Sequence, residues 1–189
     1  MSLKNTATRY GSVARALHWS MALLIITLIA MGFWMGTLSE ISEIIYYVNL
    51  HKSLGIIALF LGILRIVWRF VSPPPPLPAD QPAHEKLAAH TAHLALYLMF
   101  IVQPAVGIVH SWATGYPIVF FNISPLPALM APDKGLAEIL GATHFYVGWA
   151  LVFVIAAHAA AALKHHFIDK DDVLLRMLPH RAPQNGRDE

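Results

Sequence analysis

Apolar positions dominate four long stretches of the chain, and polar or proline-rich segments separate them. The stretches cover about residues 15–38, 48–71, 87–112 and 136–163. A helix needs roughly 20 apolar residues to cross about 30 Å of hydrocarbon, so each stretch is long enough to span a membrane. The pattern predicts an all-α fold, an integral membrane four-helix bundle that forms a single domain over residues 1–189 with a tail at 164–189.

Prolines and one polar residue refine these boundaries. Ser12 predicts the N-cap of the first helix, and Pro104 predicts a kink in the third. The second helix could begin earlier than its apolar stretch, near Ser42. Pro73–Pro76 cannot lie inside a helix, so they predict a stiff extended connector between the second and third spans. The loop at 115–134 contains four prolines and many apolar residues, and we expect it to fold back onto the helix ends.

Composition supports the membrane assignment and narrows the chemistry. The chain is 57% hydrophobic and only 13% charged, whereas soluble domains are about 25% charged. It has no cysteine, which excludes disulfides, iron–sulfur clusters and covalently attached c-type haem. The first apolar stretch is too long for a signal-peptide core, so we expect it to be retained as a helix. Histidine, carboxylate and methionine remain as metal ligands, and the chain has eleven histidines.

Positive charge is distributed unequally between the two predicted membrane faces. Eleven of the thirteen lysines and arginines fall in the N-terminal segment, around the second connection or in the C-terminal tail. The other face carries only Lys52 and Lys134. Because cytoplasmic loops carry an excess of Lys and Arg, both termini are predicted to be cytoplasmic.

Four histidines form two pairs at matched predicted depths. His144 and His158 are fourteen residues apart in the fourth span, which places them about 21 Å apart along a helix and on nearly the same face. His18 lies at the depth of His158, towards the cytoplasm, and His51 lies at the depth of His144. A neutral imidazole in hydrocarbon is costly unless its nitrogens are occupied, and coordination to iron would occupy one of them. This geometry predicts two haems stacked across the bilayer.

Several neighbouring residues are predicted to surround these haems. Propionates need cations or hydroxyls, and the candidates are Arg15, Lys164, His165 and His166 on the inner side and Lys52 and Ser53 on the outer side. Glycines one heptad apart, which would let a flat macrocycle approach the backbone, are Gly55 and Gly62 in the second span and Gly141 and Gly148 in the fourth. His90 and His93 could line a quinone pocket with Arg69 or simply form a polar interfacial face. We expect His84, His165, His166 and His180 to be solvated.

At this point the residues resemble a known family. The segments that carry the resemblance are Ala16-Leu17-His18-Trp19, Leu50-His51-Lys52-Ser53-Leu54-Gly55, Arg65-Ile66-Val67-Trp68-Arg69 and the run from His158 to Asp172. Together they are similar to the bacterial cytochrome b561 family. The resemblance implies a four-helix bundle of the bacterial inner membrane that holds two b haems by bis-histidine ligation. Carried over residue by residue, it places the axial ligands at His18, His51, His144 and His158.

The resemblance also implies a function. We expect the chain to carry electrons across the membrane through the two haems and to exchange them with ubiquinone. It would then be a quinone-linked oxidoreductase. The sequence assigns no catalytic residue. One branch of the family oxidises superoxide outside the membrane, with a positively charged entrance that would steer an anion. Here the first outer loop region carries Glu40 and Glu43, which would not attract an anion. The sequence therefore leaves open whether the electron donor is superoxide or another periplasmic molecule. Membrane lipid and quinone are the expected partners, and nucleic acid is not.

Two alternatives remain at this stage. The chain could be a cytochrome b anchor subunit that relays electrons between a larger dehydrogenase or hydrogenase-type partner and quinone. It could instead be a non-haem transporter that uses its histidines for metal ions. A transporter needs ligands that converge on one site near the midplane, whereas the sequence predicts two separated pairs.

Overall fold

Four long helices form the protein, as the apolar pattern predicts. The structure is a computed structural model that describes residues 2–78 and 81–178, so the predictions for His180, Arg181 and Arg187 lie outside the described residues. The helices are α1 (Ser12–Met35), α2 (Ile41–Val71), α3 (Ala83–Ala113) and α4 (Lys134–Lys164). Each is long and apolar enough to cross a membrane. A π-helical turn (His165–Asp169) continues α4, and a 3₁₀ turn (Leu175–Met177) follows.

The helix ends differ from the predicted ends by a few residues. Gly11 is the N-cap of α1, and Ser12, predicted to be the cap, is already helical. The second helix begins at Ile41, close to the earlier start near Ser42, and Glu43 in its first turn complements the positive end of the helix dipole. The third helix continues through Pro104 to Ala113.

Consecutive helices pack side by side in the order α1, α2, α3 and α4. One buried cluster draws on all four of them, and its members are Ile25, Leu28, Ala58, Leu96 and Leu151. Leu151 lies midway between His144 and His158 in α4. The cluster therefore forms an apolar layer near mid-depth, about 10 Å along the helix from each of these histidines.

One end of the bundle, here called the terminal face, is closed by residues 2–11, 72–78 and 165–178. Asn5 holds the first two of these segments together, because its backbone N–H donates to Ser72 Oγ at 2.8 Å and its side chain donates to the Ser72 carbonyl at 2.8 Å. Gly11 is needed here, since a Cβ at this position would collide with the Leu3 and Lys4 carbonyl groups. Arg176 Nη1 donates to the Pro76 carbonyl at 2.8 Å and joins the third segment.

The opposite end, here called the loop face, is covered by the segment at 114–133. This segment contains a short antiparallel pair of strands, β1 (Val119–Phe120) and β2 (Ser124–Pro125). Ser53 Oγ, fully buried in α2, accepts from the Phe121 backbone N–H at 2.8 Å. Phe121 and Asn122 have positive φ angles of 48° and 58°, and Asn122 contacts Asn49 at 3.3 Å. The loop therefore folds back onto α2, as expected from its composition.

Candidate metal centres

The structure brings together the two histidine pairs that the sequence predicts at matched depths. Towards the terminal face, the His18 ring of α1 and the His158 ring of α4 have centroids 6.3 Å apart. Towards the loop face, the His51 ring of α2 and the His144 ring of α4 have centroids 6.4 Å apart. One helix thus supplies a member of each pair, and the apolar layer around Leu151 separates the pairs.

The spacing within each pair matches two imidazoles on opposite sides of one metal ion. A metal lies about 2 Å from an imidazole nitrogen, which is itself about 1.2 Å from the ring centre, so two opposed rings have centroids about 6.4 Å apart. The observed separations are 6.3 and 6.4 Å. Direct hydrogen bonding between the rings would bring them roughly 1 Å closer. The two pairs therefore fit an intervening iron ion.

The loop-face pair has buried polar atoms that coordination chemistry would account for. His51 Nδ1 and His144 Nδ1 are both buried without a hydrogen-bond partner among the described residues. A buried ring nitrogen of this kind is unfavourable unless it has a hydrogen-bond partner or itself coordinates a metal ion. Gly55, one turn after His51, faces open space, since a Cβ there would meet no atom within 4 Å. This donor set and the space beside Gly55 fit a flat metal-bearing group such as haem.

Glycines on facing helices make room for the loop-face rings. A Cβ at Gly107 would lie 3.1 Å from His144 Cε1 and 3.3 Å from its Nδ1, and a Cβ at Gly32 would lie 3.7 Å from His51 Cε1. The sequence did not single out Gly107 as a site residue, because the rotation of a helix cannot be read from its own residues.

Three glycines that were expected to face a macrocycle contact side chains instead. Gly62 lies against Phe100, Gly141 against the His110 ring and Gly148 against Gln103. Their heptad spacing is real, but it serves helix packing between α3 and its neighbours. That part of the prediction is wrong for these three positions.

Two further residues contact the terminal-face pair. Arg65 Nη2 lies 2.9 Å from His18 Nδ1, and a guanidinium can only donate, so this nitrogen accepts. The His93 ring is 5.4 Å from the His158 ring, which is too close for a metal ion between them. The sequence predicted His93 as a site residue, but it did not predict Arg65. The signal was present, because an arginine inside a membrane span is costly and marks a functional position.

The other predicted site residues are more dispersed. Arg69 Cζ lies 5.5 Å from the centre of the Tyr97 ring. His90 is exposed, and its Nδ1 lies 2.6 Å from the Lys86 carbonyl oxygen. Arg15 Nη1 donates to the Leu178 carbonyl at 3.0 Å.

The predicted residues of the loop face are Lys52 and Ser53. Lys52 is partly buried beside His51 in α2. The Ser53 hydroxyl donates to the Asn49 carbonyl and accepts from the backbone of the loop.

Lys164 and His165 belong to a network of acidic side chains at the terminal face. Lys164 Nζ lies 3.1 Å from Glu85 and 2.7 Å from Asp169. His165 was expected to be solvated, but its side chain is only 12% exposed and pairs with Asp171 at 2.6 Å. The π-helical turn folds this histidine back towards the carboxylates. Glu85, His165 and Asp169 also have ligand-type atoms within 4.8 Å of one another, and the Lys164 ammonium already pairs with both carboxylates.

Comparison with known proteins gives a consistent result. A family model described as prokaryotic cytochrome b561 matches residues 9–180. The chain is 43% identical over 188 residues to cytochrome b561 homolog 2 of Escherichia coli (strain K12), covering 98% of this chain and 100% of the relative. It is 33% identical over 178 residues to a Yersinia pestis protein named probable superoxide oxidase CybB, covering 92% and 97%. Cytochrome b561 homolog 1 of Escherichia coli (strain K12) is 32% identical over 176 residues, covering 92% and 98%.

Proposed function

The chain belongs to the prokaryotic cytochrome b561 family, and from that premise we propose that it carries electrons across a bacterial inner membrane through two b haems. Membership of the family implies b-type haem and transmembrane electron transfer. The observation that carries the proposal of two haems is the pair of imidazole separations, 6.3 and 6.4 Å, at two depths of one bundle. His18 and His158 would hold one iron, and His51 and His144 the other.

Haem iron would supply one-electron chemistry by changing between the ferric and ferrous states. The protein's own contribution is to fix and insulate the two centres. Each histidine pair would hold its iron through both imidazoles, so redox partners would react at the edge of the centre and would not bind the iron itself. The layer formed by Leu28, Ala58, Leu96 and Leu151 excludes water between the two depths.

We place the quinone-reactive side at the terminal face. The support is the position of His93, whose ring lies 5.4 Å from the axial candidate His158. An imidazole there can donate a hydrogen bond to a quinone oxygen when electrons arrive. His90 lies about one turn earlier in α3 and is exposed, so it would be accessible to a quinone from the membrane surface. Arg69 was predicted to join them, but it faces Tyr97 and the cavity described in the next subsection.

The electron donor would approach from the loop face. The relative named a probable superoxide oxidase makes superoxide one candidate donor. Cations would attract that anion, but Glu40 and Glu43 begin α2 here, and Lys52 and Lys134 are the two lysines of this side. We therefore propose a donor that does not depend on electrostatic steering. The rate of reduction should then change little with ionic strength, whereas a steep decrease with salt would favour a steered anion.

Orientation follows from the charge distribution. Of the eleven lysines and arginines within the described residues, nine lie in or beside the segments of the terminal side, so we propose that this side is cytoplasmic.

The anchor-subunit alternative makes a different prediction. A protein that acts only as an anchor subunit should be isolated together with its larger partner when the membrane is dissolved in mild detergent.

Single histidine substitutions test the assignment of the two centres. His18→Ala and His158→Ala should remove the same haem, and His51→Ala and His144→Ala should remove the other. Redox titration of the reduced α-band in each purified variant identifies the lost component by its midpoint potential. If His18→Ala and His51→Ala removed the same component, the pairing would be wrong. A colourless wild-type protein would refute electron transfer through haem.

A further inference from the structure

A small cavity with several polar side chains in its lining lies at the terminal face, next to Leu17. Its volume is about 40 Å³, and its lining includes Tyr10, Arg65, Trp68, Arg69 and Tyr97. A cavity needs roughly 10–15 Å³ to hold one water molecule, so there is room for the two oxygens of a carboxylate. Residues 2–11 and 72–78 cover it from the aqueous side, through Asn5 and Ser72.

Among the residues that the structure describes, the two arginines of this cavity have no carboxylate partner. Arg65 and Arg69 are one turn apart in α2, and both are partly buried. Their guanidinium groups lie 5.9 and 5.5 Å from the centre of the same Tyr97 ring. Within residues 2–78 and 81–178, the ion pairs to carboxylates involve other cations. Charges removed from water are normally paired, so two neighbouring guanidinium groups here call for an anion.

Two further side chains of the cavity, Trp68 and Tyr10, can also donate hydrogen bonds. Trp68 Nε1–H is buried and has no acceptor in the part of the chain that the structure describes. Burial raises the pKa of the Tyr10 phenol, so it stays a neutral hydroxyl. A ligand that accepts several hydrogen bonds from two guanidinium groups and an indole N–H is an oxyanion, and Arg pairs with planar carboxylates especially well.

Arg65 connects this cavity to the terminal-face histidine pair. It donates to His18 Nδ1 at 2.9 Å, and a neutral His18 then carries its proton on the other ring nitrogen. A histidine bound to metal instead usually donates a proton from the nitrogen that does not coordinate. Arg65 must therefore exchange His18 for another acceptor once a metal is bound, and the cavity lies within its reach.

We propose that Arg65, Arg69 and Trp68 Nε1–H form a carboxylate site whose occupant is a propionate of the terminal-face haem. The proposal rests on the haem assignment made above. It differs from the sequence-based expectation, in which Arg15 and Lys164 carried this role. Arg65 and Arg69 hold the charge of the propionate inside the protein, and Trp68 adds a neutral donor.

Haem affinity measures this site independently of electron-transfer activity. Full-length protein made without haem is titrated with protohaem and with protohaem dimethyl ester, in which both carboxylates are esterified. We expect the terminal-face site to bind the ester about tenfold more weakly, since a hydrogen bond to a charged group contributes at least this factor. Arg65→Gln and Arg69→Gln should reduce or remove the preference. Lys170→Gln, which removes an exposed cation of the same face, should keep it.

Trp68→Phe is the second variant, because it keeps an aromatic side chain and removes only the N–H group. It should reduce the preference for protohaem over the dimethyl ester by about twofold to fivefold. This variant still tests the proposal if an arginine variant fails to fold. A free carboxylate as occupant would give equal binding of both haems, together with a midpoint potential that responds to acetate in the wild type but not in Arg65→Gln. That result would overturn the propionate as the occupant, although it would leave the carboxylate site itself in place.

Two further results would overturn the carboxylate site itself. One is a full preference for protohaem in Arg65→Gln, Arg69→Gln and Trp68→Phe alike. The other is a wild type that binds both haems equally and ignores acetate. Both results differ from a failure of the haem assignment itself. If that assignment were wrong, the protein would show no reduced α-band with protohaem or with its dimethyl ester.

Discussion

Gly107→Ala should disturb one metal centre and leave the other intact. The added Cβ would lie 3.1 Å from His144 Cε1, about 0.3 Å inside the 3.4 Å at which ordinary contact begins. The ring must move by this amount or the helices must separate. Overpacking of this kind costs about 1–3 kcal/mol. We expect the low end, because the overlap is small, and about 1 kcal/mol corresponds to roughly fivefold weaker haem binding.

Titration of full-length apoprotein with haem measures this effect at each centre. Only the component that His51→Ala also removes should bind more weakly in Gly107→Ala. Gly32→Ala is the matched control, because it adds the same methyl group beside the other ring of the pair, at an ordinary 3.7 Å from His51 Cε1. Unchanged binding in Gly107→Ala, a larger effect in Gly32→Ala, or weakening of the component that depends on His18 would each refute the reasoning.

Three further predictions follow from the contacts of the two faces and of the terminal-face pair. His93→Ala should retain both haems while lowering the rate of quinone reduction, and loss of one haem would identify His93 as a ligand instead. Ser53→Ala removes the buried hydroxyl that anchors the Phe121 backbone at 2.8 Å, so it should destabilise the loop by about 1–2 kcal/mol, seen as faster hydrogen exchange at 114–133. Gly11→Ala should displace the N-terminal segment, because its Cβ would collide with the Leu3 carbonyl. Proteolysis within residues 2–11 should accelerate, and an unchanged cleavage rate would show that the segment adapts.

The sequence predicted the parts of the fold that depend on one helix at a time. The length of each apolar stretch defines a span, and the spacing of His144 and His158 places both on one face at two depths. Charge asymmetry then assigned His18 and His51 to those depths, and the structure does bring each predicted pair together.

Features that depend on how neighbouring helices are rotated could not be predicted in the same way. Gly107 and Gly141 look equivalent in sequence, but one faces His144 and the other faces His110. In the sequence, Arg65 counted as one of the positive charges near the helix ends. Its contact with His18 depends on how α1 and α2 are placed against each other. The hydrogen bonds of Asn5 to Ser72 join segments 67 residues apart and leave no periodic signal.

The proposed electron transfer depends on two iron porphyrins, each held by one histidine from α4 and one from another helix. Pyridine haemochromogen assay of the fully loaded, purified protein, combined with a quantitative protein determination, counts them. We expect two haem b per polypeptide in the wild type and one in each of the His18→Ala, His51→Ala, His144→Ala and His158→Ala variants. A wild-type value well under two, or variants that keep both haems, would contradict it.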